Sequence, residues 1–359
     1  MFAESQRASH RYELTLLTAT VAMAISACTS DVTPTGPSTG AQPELAAVKT
    51  YRAVDLGTLG GERSVANGIN PAGYVVGSSS TTPGGPEHAF LWVKGVMTDL
   101  GMLTSAGERS EALAINPAGQ VVGNASIGSA GGVSHAFLWE KGVMTDLGTL
   151  GGCCSQATDI SPQAQVVGLG ATVAGETHAF LWDKGVMTDL GTLGGPRSEA
   201  AAINPAGQIV GNSQTASGET HAVLWENGVI RELGTLGGNL SAATEISPAG
   251  EVVGYSHTAG GEFHAFLWAK GVMTDLGAVP GLISFAHGIS PSGQIVGRAV
   301  DLNAETMGHA FLWAKGTLTD LGTLGGPSSI AFDINPAGQI VGRSETIAGE
   351  HHATLWTRE

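Results

Sequence analysis

Residues 189–225 read DLGTLGGPRSEAAAINPAGQIVGNSQTASGETHAVLW, and seven versions of this segment follow one another from Tyr51 onward. Each copy carries DLGTLGG or a variant, then a serine and an alanine, then a form of INPAGQVVG, and finally HAFLW or a close relative. The histidines that open HAFLW are 43 to 47 residues apart. A period of this size predicts a repeat architecture.

Each copy contains the signals of four short strands. Asn-Pro-Ala-Gly places Pro second and Gly fourth in a tight turn, which predicts a hairpin. HAFLW is joined to VMTDLG through Lys-Gly, which becomes Asn227-Gly228 in one copy, the strongest short hairpin signal. Strands are therefore expected near SxAxxI, QVVGxS, HAFLW and VMTDL. The last two are apolar on both faces, so we expect neighbouring sheets to cover them.

Four strands in each unit of 40 to 50 residues are typical of the blades of a β-propeller. The sequence predicts an all-β fold, a seven-bladed β-propeller of four-stranded antiparallel blades over residues 51–359. Residues 352–359 supply a HAFLW-type strand, and residues 51–57 supply the VMTDLG-type strand that would pair with it. We expect this N-terminal strand to complete the last blade and close the ring, because closure removes exposed sheet edges.

The motifs HAFLW, DLGTLGG and INPAGQVVG, recurring in this order, resemble the HAF-repeat family of probable extracellular bacterial repeat proteins. The family takes its name from the tripeptide seen at His88-Ala89-Phe90 and in its copies. The resemblance covers about 309 residues. It implies an exported, β-propeller-like repeat protein and implies no particular activity.

The first 50 residues have a different composition. Residues 1–27 end in an uncharged, largely apolar run before Cys28, the layout of a lipoprotein signal peptide. We expect cleavage before Cys28, lipidation of this cysteine, and a disordered Thr-, Pro-, Ser- and Gly-rich tether over residues 28–50. Thr29 favours an outer-membrane lipoprotein or a cell-surface location. An ordinary secretory signal or an uncleaved anchor remains the alternative.

The chain has a formal net charge of −15. Binding to nucleic acid or anionic lipid needs clustered cations, so this charge argues against either as the main partner. Solubility explains the charge most simply, with calcium or a cationic partner as alternatives. No EF-hand loop or Gly-rich calcium nonapeptide occurs in the sequence. We expect a monomer without a cofactor.

Cys153 and Cys154 are adjacent in the loop after DLGTLGG. Three interpretations stay open: a tolerated loop substitution, a vicinal disulfide in an oxidising compartment, or a metal or redox site. Adjacent residues are closer than disulfides prefer, which makes such a bridge strained. No CxxC spacing supports a metal site.

A histidine, an acidic residue eleven positions later and a tryptophan recur in every copy. A catalytic site needs dissimilar residues that converge once, so we expect copied groups to form structural hydrogen-bond networks and packing. A metal-binding histidine ring around a central channel is the alternative. The expected structural residues are His88, His135, His178, His221, His264, His309 and His352, with Trp92, Trp139, Trp182, Trp225, Trp268, Trp313 and Trp356.

Function is expected where the repeat is broken, because a uniform ring has no unique site. Cations follow DLGTLGG in three copies only, and the sixth copy replaces TLGG and carries the most polar loop. Phe285 is either an exposed partner contact or a buried replacement. His257 occurs in the fifth copy alone. The candidate partner-binding residues are Arg63, Arg109, Arg197, Phe285, His287, Arg298, Asp301 and Glu305.

The sequence predicts a non-catalytic, envelope-anchored binding or scaffolding propeller that presents its loops to a protein or glycan. The alternative is an extracellular glycan-active lyase or hydrolase with a site on one rim, and a third possibility is a purely structural envelope role. An enzyme would need a unique acid pair or His–acid pair. The only candidates for such a pair are His257, His287 and Glu305, and no motif in the sequence supports them. No catalytic or metal-binding residue is therefore assigned.

Overall fold

The computed structural model describes residues 51–128, 133–277, 282–301 and 308–359. Every regular element in these ranges is a β-strand, which confirms the all-β prediction. Within the same ranges there is no helix of the length and hydrophobicity needed to cross a membrane. Cys28, residues 1–27 and the tether lie outside the described residues.

The described strands are numbered β1–β28 in chain order and occupy four positions in the repeat. First strands are β2 (Ser64–Ile69), β6 (Ser110–Ile115), β10 (Gly151–Ile160), β14 (Gly194–Ile203), β18 (Gly237–Ile246), β22 (Leu282–Ile289) and β26 (Gly325–Ile334). Second strands are β3 (Val75–Ser80), β7 (Val121–Ser126), β11 (Val166–Thr172), β15 (Ile209–Thr215), β19 (Val252–Thr258), β23 (Ile295–Asp301) and β27 (Ile340–Thr346).

Third strands are β4 (Glu87–Val93), β8 (Ser134–Glu140), β12 (Thr177–Asp183), β16 (Thr220–Glu226), β20 (Phe263–Ala269), β24 (His309–Ala314) and β28 (His351–Arg358). Fourth strands are β5 (Val96–Asp99), β9 (Val143–Asp146), β13 (Val186–Asp189), β17 (Val229–Gly234), β21 (Val272–Asp275), β25 (Thr317–Asp320) and, from the start of the repeats, β1 (Tyr51–Asp55). Repeats are numbered by their first strands, so repeat 1 begins with β2 and repeat 7 with β26.

Strands that follow one another within a repeat pair antiparallel. Repeats 1, 2 and 6 each form a four-stranded sheet, and repeat 7 forms one in the order β1-β28-β27-β26. Repeats 3 to 5 contribute three such groups, which single parallel bridges join into one sheet, as at Thr177 with Arg197. In repeat 7, Tyr51 pairs with Arg358 and Asp55 pairs with Thr354. The first strand of the chain therefore completes the sheet of the last repeat.

Both turn types follow the predicted chemistry. In repeat 1 the Gly73 amide donates to the Asn70 carbonyl at 2.9 Å, and Gly73 has a φ of 78°. The Asn70 side chain accepts from the Ala72 and Tyr74 amides at 3.0 Å each, which explains why Asn or Ser opens this turn. Asn227 and Gly228 have φ values of 52° and 76°, as a type I′ hairpin requires.

First strands lie side by side in neighbouring repeats, whereas fourth strands lie at the outer edge. Apolar side chains fill the spaces between repeats, as where Val210 of repeat 4 packs in one cluster with Phe266 of repeat 5. Another cluster contains Phe90 of repeat 1 and Val341 of repeat 7. The core is therefore shared between adjacent repeats.

The expectation that neighbouring sheets cover the VMTDL strand is wrong. Only its last residue, such as Leu100, is buried, while Val96 is 63% exposed and Asp99 is also exposed. Leu100, directly after the fourth strand of repeat 1, is the residue that neighbouring side chains cover. The rest of the strand has solvent beside it because it forms the edge of the sheet. Its apolar composition reflects β-propensity, which valine keeps even at an exposed edge.

Ala164 occupies a position where the other repeats have glycine, and it has a φ of 64°. A left-handed backbone strains a residue with a Cβ atom, so we expect Ala164→Gly to raise the free energy of unfolding by about 1 kcal/mol. Urea unfolding measures this change. The matched control is Gly207→Ala, whose Cβ meets no atom within 4 Å but has a φ of 80°. It should destabilise by a similar amount. Equal stability of all three proteins would contradict the assigned strain.

Candidate functional site

Two kinds of loop gather at one edge of every sheet. Because paired strands alternate in direction, first and third strands start at the edge where second and fourth strands end. The loops from second to third strands, such as residues 216–219, and those leading to the next repeat, such as residues 190–193, lie there. We call this edge the loop rim. The Asn-Pro-Ala-Gly and Lys-Gly turns lie at the opposite edge.

Each repeat is tied to the next by a hydrogen-bonded clamp of histidine, acid and serine. In repeat 3, His178 Nδ1 lies 2.7 Å from Asp189 Oδ2, and the other Asp189 oxygen accepts from the Gly191 amide at 2.7 Å. Ser198 of repeat 4 donates to the Gly191 carbonyl at 2.7 Å and accepts from the Ala179 amide at 2.9 Å. The serine thus satisfies two backbone groups of the preceding repeat.

The acid of the clamp accompanies its histidine in every repeat. In repeat 4 the two side chains are close but not hydrogen-bonded: His221 Nδ1 lies 2.7 Å from Glu232 without the alignment that a hydrogen bond requires. The last clamp joins His352 to Asp55 at 2.7 Å, and the Ala353 amide donates to Ser64 at 2.8 Å. The other pairs are His88–Asp99, His135–Asp146, His264–Asp275 and His309–Asp320, each at 2.8 Å. This geometry fits the structural role predicted for the histidines, whose contribution to stability stays a prediction.

The repeated tryptophans pack in the cores between repeats, but their indole groups differ. Trp225 is 3% exposed and its Nε1 donates to the Leu190 carbonyl at 3.0 Å. Trp356 is fully buried, and its Nε1 has no hydrogen-bond partner among the described residues. The copied groups are expected to form hydrogen-bond networks and packing; among the described residues the Trp356 indole contributes packing alone.

The three predicted arginines all lie exposed on the loop rim, at the start of a first strand. Arg109 forms an ion pair with Glu87 of the preceding repeat, and Arg197 pairs with Glu199 of its own strand at 3.1 Å. Arg63 has no such pair in the described part of the chain. The structure places the three arginines at equivalent positions in repeats 1, 2 and 4, and no contact among the described residues joins them.

A shallow cleft of about 350 Å³ opens on the loop rim between repeats 1 and 2. Its lining is mainly backbone from a glycine-rich loop of repeat 1, with the polar side chains Glu108 and Arg109 of repeat 2. The guanidinium of Arg109 is already paired with Glu87. The cleft therefore offers a neutralised charge pair rather than a free cation.

Side chains that break the repeat meet on the loop rim between repeats 5 and 6. Tyr255 contacts Phe263 and Phe285 with ring centroids 5.8 and 5.2 Å apart, and Phe263 lies 5.4 Å from Phe285. The Arg298 guanidinium lies 5.4 Å from the Phe285 ring centre, and His257 lies 4.1 Å from Phe263. We call these five residues the aromatic cluster. All five are half-buried, so part of each reaches solvent.

The structure thus brings two of the predicted residues, Phe285 and Arg298, together. His287 lies elsewhere: its Nδ1 is 2.8 Å from the Ala331 carbonyl of repeat 7, and its ring stacks on Phe332. Asp301 ends β23, but its side chain and all of Glu305 lie outside the described residues. Tyr255 and Phe263, which the sequence reasoning missed, were detectable as the aromatic replacements of Asn212 and Thr220 in the fifth copy.

Three carboxylates on first strands were also missed. An isoleucine ends the first strand of every repeat, and the residue before it is an acid in repeats 3, 5 and 7: Asp159, Glu245 and Asp333. The other repeats have Gly or Ala at this position. Asp159 accepts from the Ile203 amide of repeat 4 at 2.8 Å. Asp333 likewise accepts from the Ile69 amide of repeat 1 at 2.8 Å. The signal in the sequence was an acid that recurs directly before the buried isoleucine of this strand.

The surroundings of these acids favour their protonated forms. Burial raises the pKa of Asp333 to about 6, against hydrogen bonds from the Ile69 and Ile334 amides that lower it. Burial also raises the pKa of Glu245 well above its usual value, and the charges of Asp159 and Asp333 raise it further. Solvent reaches part of each side chain, although neighbouring strands enclose the carboxyl groups. The three acids therefore share one electrostatic environment on the inner strands.

Cys153 and Cys154 lie in a bulged part of β10 on the loop rim, and both thiols are free. Burial raises the pKa of Cys154 to about 12, and a hydrogen bond with Cys153 contributes. A neutral thiol is a poor nucleophile and a poor metal ligand. Among the described residues no group of three or more His, Cys, Asp or Glu side chains is placed to hold a metal ion.

No family model matches the chain, and no curated protein matches it. Among solved structures, the β-propeller domain of the Trilobed protease from Pyrococcus furiosus is 9% identical, with 83% of this chain and 96% of that chain covered and a TM-score of 0.56. A puromycin hydrolase S511A mutant is 12% identical, with 82% and 51% covered and a TM-score of 0.55. These two likenesses show a β-propeller fold.

TolB from Acinetobacter baumannii is also similar, at 10% identity and a TM-score of 0.43, with 62% of this chain covered. The chain spans 60% of the length of that TolB and 51% of the length of the puromycin hydrolase.

The raised pKa of Asp333 makes stability depend on pH. Between its usual value of 3.8 and about 6, the folded protein keeps a proton that the unfolded chain has lost, so stability falls as pH rises through this range. Asp333→Asn removes that loss. We expect the stability of the variant relative to wild type to increase by about 1–3 kcal/mol from pH 4 to pH 7. Chemical unfolding across this range measures it, and parallel pH profiles would refute the shift.

Proposed function

We propose that this chain is a non-catalytic binding or scaffolding propeller, anchored to the cell envelope, that presents its loop rim to a protein or glycan. The observation that carries the proposal is the convergence of the aromatic cluster. Five side chains that break the repeat, drawn from two repeats, meet at one place. A uniform ring has no unique site, so such convergence is what a single binding patch requires.

The composition of the aromatic cluster suits recognition. Aromatic rings and arginine supply much of the affinity at binding surfaces, because they combine a large apolar area with a polar edge or charge. Burial lowers the pKa of His257, so this ring is neutral near pH 7 and its Nδ1 lies 3.1 Å from Asn239 Oδ1. Arg298 therefore supplies the positive charge of the cluster.

The proposal includes a closed ring of seven blades. Three contacts between the last and first repeats support it: the pairing of β1 with β28, the clamp from Ala353 to Ser64, and the bond from Asn335 Nδ2 to the Asn70 carbonyl at 3.2 Å. The last contact repeats one between Asn70 and the Asn116 carbonyl, at 3.3 Å, in the first two repeats. We call the boundary between two neighbouring repeats a seam. If the repeats form a ring, equivalent contacts are expected at every seam.

Anchoring is proposed from the sequence. The lipobox-like run before Cys28 and the resemblance to HAF-repeat proteins support export, lipidation of Cys28 and an outer-membrane or cell-surface location for a monomeric propeller. Mass spectrometry of the N-terminal fragment from membranes tests this, since an unmodified residue 1 would contradict it. The net charge of −15 supports a partner other than nucleic acid.

The binding site can be tested with residues that the chain itself uses at equivalent positions. The variant Tyr255→Asn, Phe263→Thr, Phe285→Ala copies Asn212, Thr220 and Ala242 of the neighbouring seam and should fold normally. Purified wild type is screened by surface plasmon resonance against envelope glycans and envelope proteins. We expect the variant to bind the ligand at least about 10-fold more weakly, because it removes the aromatic anchors.

The matched control is Asn212→Ser, Thr220→Ser at the neighbouring seam, which should bind within about twofold of wild type. Mass spectrometry of the same mixtures monitors turnover. Unchanged affinity in the cluster variant would remove the proposed site, and product formation would overturn the non-catalytic function.

The second candidate is an extracellular glycan-active lyase or hydrolase. The observation that favours it is the pair Asp333 and Glu245, whose raised pKa values suit general acid catalysis near neutral pH. If the glycan screen yields product, Glu245→Gln should abolish turnover while glycan binding persists. If the Glu245→Gln variant still forms product, Glu245 and Asp333 are not the catalytic pair.

A further inference from the structure

We propose that the loop rim between repeats 7 and 1 holds an oxyanion-binding site formed by Arg63, Arg343 and His351. The ligand group is a carboxylate or phosphate, carried by a sugar or free in solution. The site is separate from the aromatic cluster, and its existence does not depend on the function proposed above.

The repeat itself shows how a carboxylate fits this position. Between repeats 1 and 2, Arg109 pairs with Glu87, the residue before the histidine of the preceding repeat. Between repeats 7 and 1, Arg63 takes the place of Arg109, and His351 takes the place of Glu87. The arginine is retained, and the carboxylate that would pair with it is replaced by an imidazole. A ligand carboxylate or phosphate would supply the missing partner.

Arg63 is available for such a ligand. Its side chain is exposed, and it forms no ion pair in the described part of the chain, whereas the equivalent Arg109 and Arg197 are paired. The backbone beneath it is fixed, because the Arg63 amide donates to Ser80 Oγ at 2.9 Å and its carbonyl accepts from the Ser80 amide at 2.9 Å. The guanidinium thus extends from a rigid strand start.

The charges around His351 come from both repeats. Burial lowers the pKa of His351, and the positive charges of Arg343 and Arg63 lower it further, so both guanidinium groups act on this ring. Glu345, paired across the strands with His351, raises the pKa. Ser328 donates to the Glu345 carboxylate at 2.9 Å and holds it. Among the arginine and acid side chains whose charges act on His351, two are arginines and one is an acid.

His351 is not explained by the fold. Its Nδ1 is buried and has no hydrogen-bond partner in the ranges that the structure describes, although buried polar atoms are normally satisfied. No other repeat has a histidine at this position. An N–H group of this ring can donate to an oxyanion bound by Arg63 and Arg343, whose charges act on the ring. Charge-assisted hydrogen bonds of this kind are stronger than neutral ones.

Isothermal titration of the purified full chain tests the site with three probes: sodium glucuronate, inorganic phosphate and, as the neutral control, glucose. We expect saturable binding of at least one anion and none of glucose. Binding of glucuronate alone identifies a carboxylated sugar as the source, and binding of phosphate identifies a general oxyanion site. Absence of saturable binding by both anions overturns the proposal.

Two variants assign the binding to this seam. Arg63→Gln should weaken it at least about 10-fold, and the matched control Arg197→Gln should leave it within about twofold. His351→Glu recreates the Arg109–Glu87 arrangement and should fill the site from within, again weakening anion binding at least about 10-fold. Thermal unfolding checks that each variant folds. Anion binding that survives both Arg63→Gln and His351→Glu would refute this location.

Discussion

The structure depends on one buried hydroxyl group per repeat. In every repeat a serine of the first strand accepts from the amide of the HAF alanine of the preceding repeat. In the repeats other than repeat 6 it also donates to the carbonyl of the preceding DLG glycine. Buried backbone groups without partners are costly, so no repeat is satisfied without its successor. The shared apolar clusters follow the same rule, because each is built from two neighbours. Ser64 performs this role for the last repeat.

This mutual dependence explains the division between repeated and unique residues. The serine bonds to the preceding repeat, and the histidine pairs with its acid within one repeat. If these groups are structural, as predicted, specificity is left to the positions that do not take part in these bonds. The aromatic cluster, the inner acids and the seam around Arg63 all lie at such positions. The aromatic cluster and the seam around Arg63 each span two neighbouring repeats, whereas the inner acids lie in repeats 3, 5 and 7. Divergence of one or two copies is therefore enough to create a local surface.

The local geometry of the repeat was predictable because it rests on short-range chemistry. The Asn-Pro-Ala-Gly turn, with Gly73 at positive φ, and the Asn227-Gly228 hairpin follow from backbone sterics alone. The exposure of Val96 was not predictable in this way, since it depends on which strand forms the sheet edge. The same apolar sequence is compatible with a strand in a core and with a strand at the edge of a sheet.

The candidate sites were predictable only in part, for the same reason. Phe285 and Arg298 stood out as breaks in the sixth copy, but their contacts with Tyr255 of the fifth require knowledge of how sheets face one another. Asp333 escaped notice because the sequence does not reveal that first strands lie innermost, where enclosure changes the chemistry of an acid. The proposed role of His351 in anion binding likewise depends on Arg63 and Arg343, whose closeness to this ring the sequence does not reveal.

The central claim is that the first strand of the chain completes the last sheet and so holds all repeats in one cooperative structure. Thermal unfolding of a chain lacking residues 51–57 tests it most directly. The deletion removes the pairing of β1 with β28, the Asp55 contact of His352 and the buried Leu56. We expect the melting temperature to fall by roughly 5 °C or more, because each kcal/mol lost lowers it by about 2–4 °C in domains of about 150–250 residues, and the deletion removes several contacts at once. An unchanged transition would contradict the proposed closure of the ring by this strand.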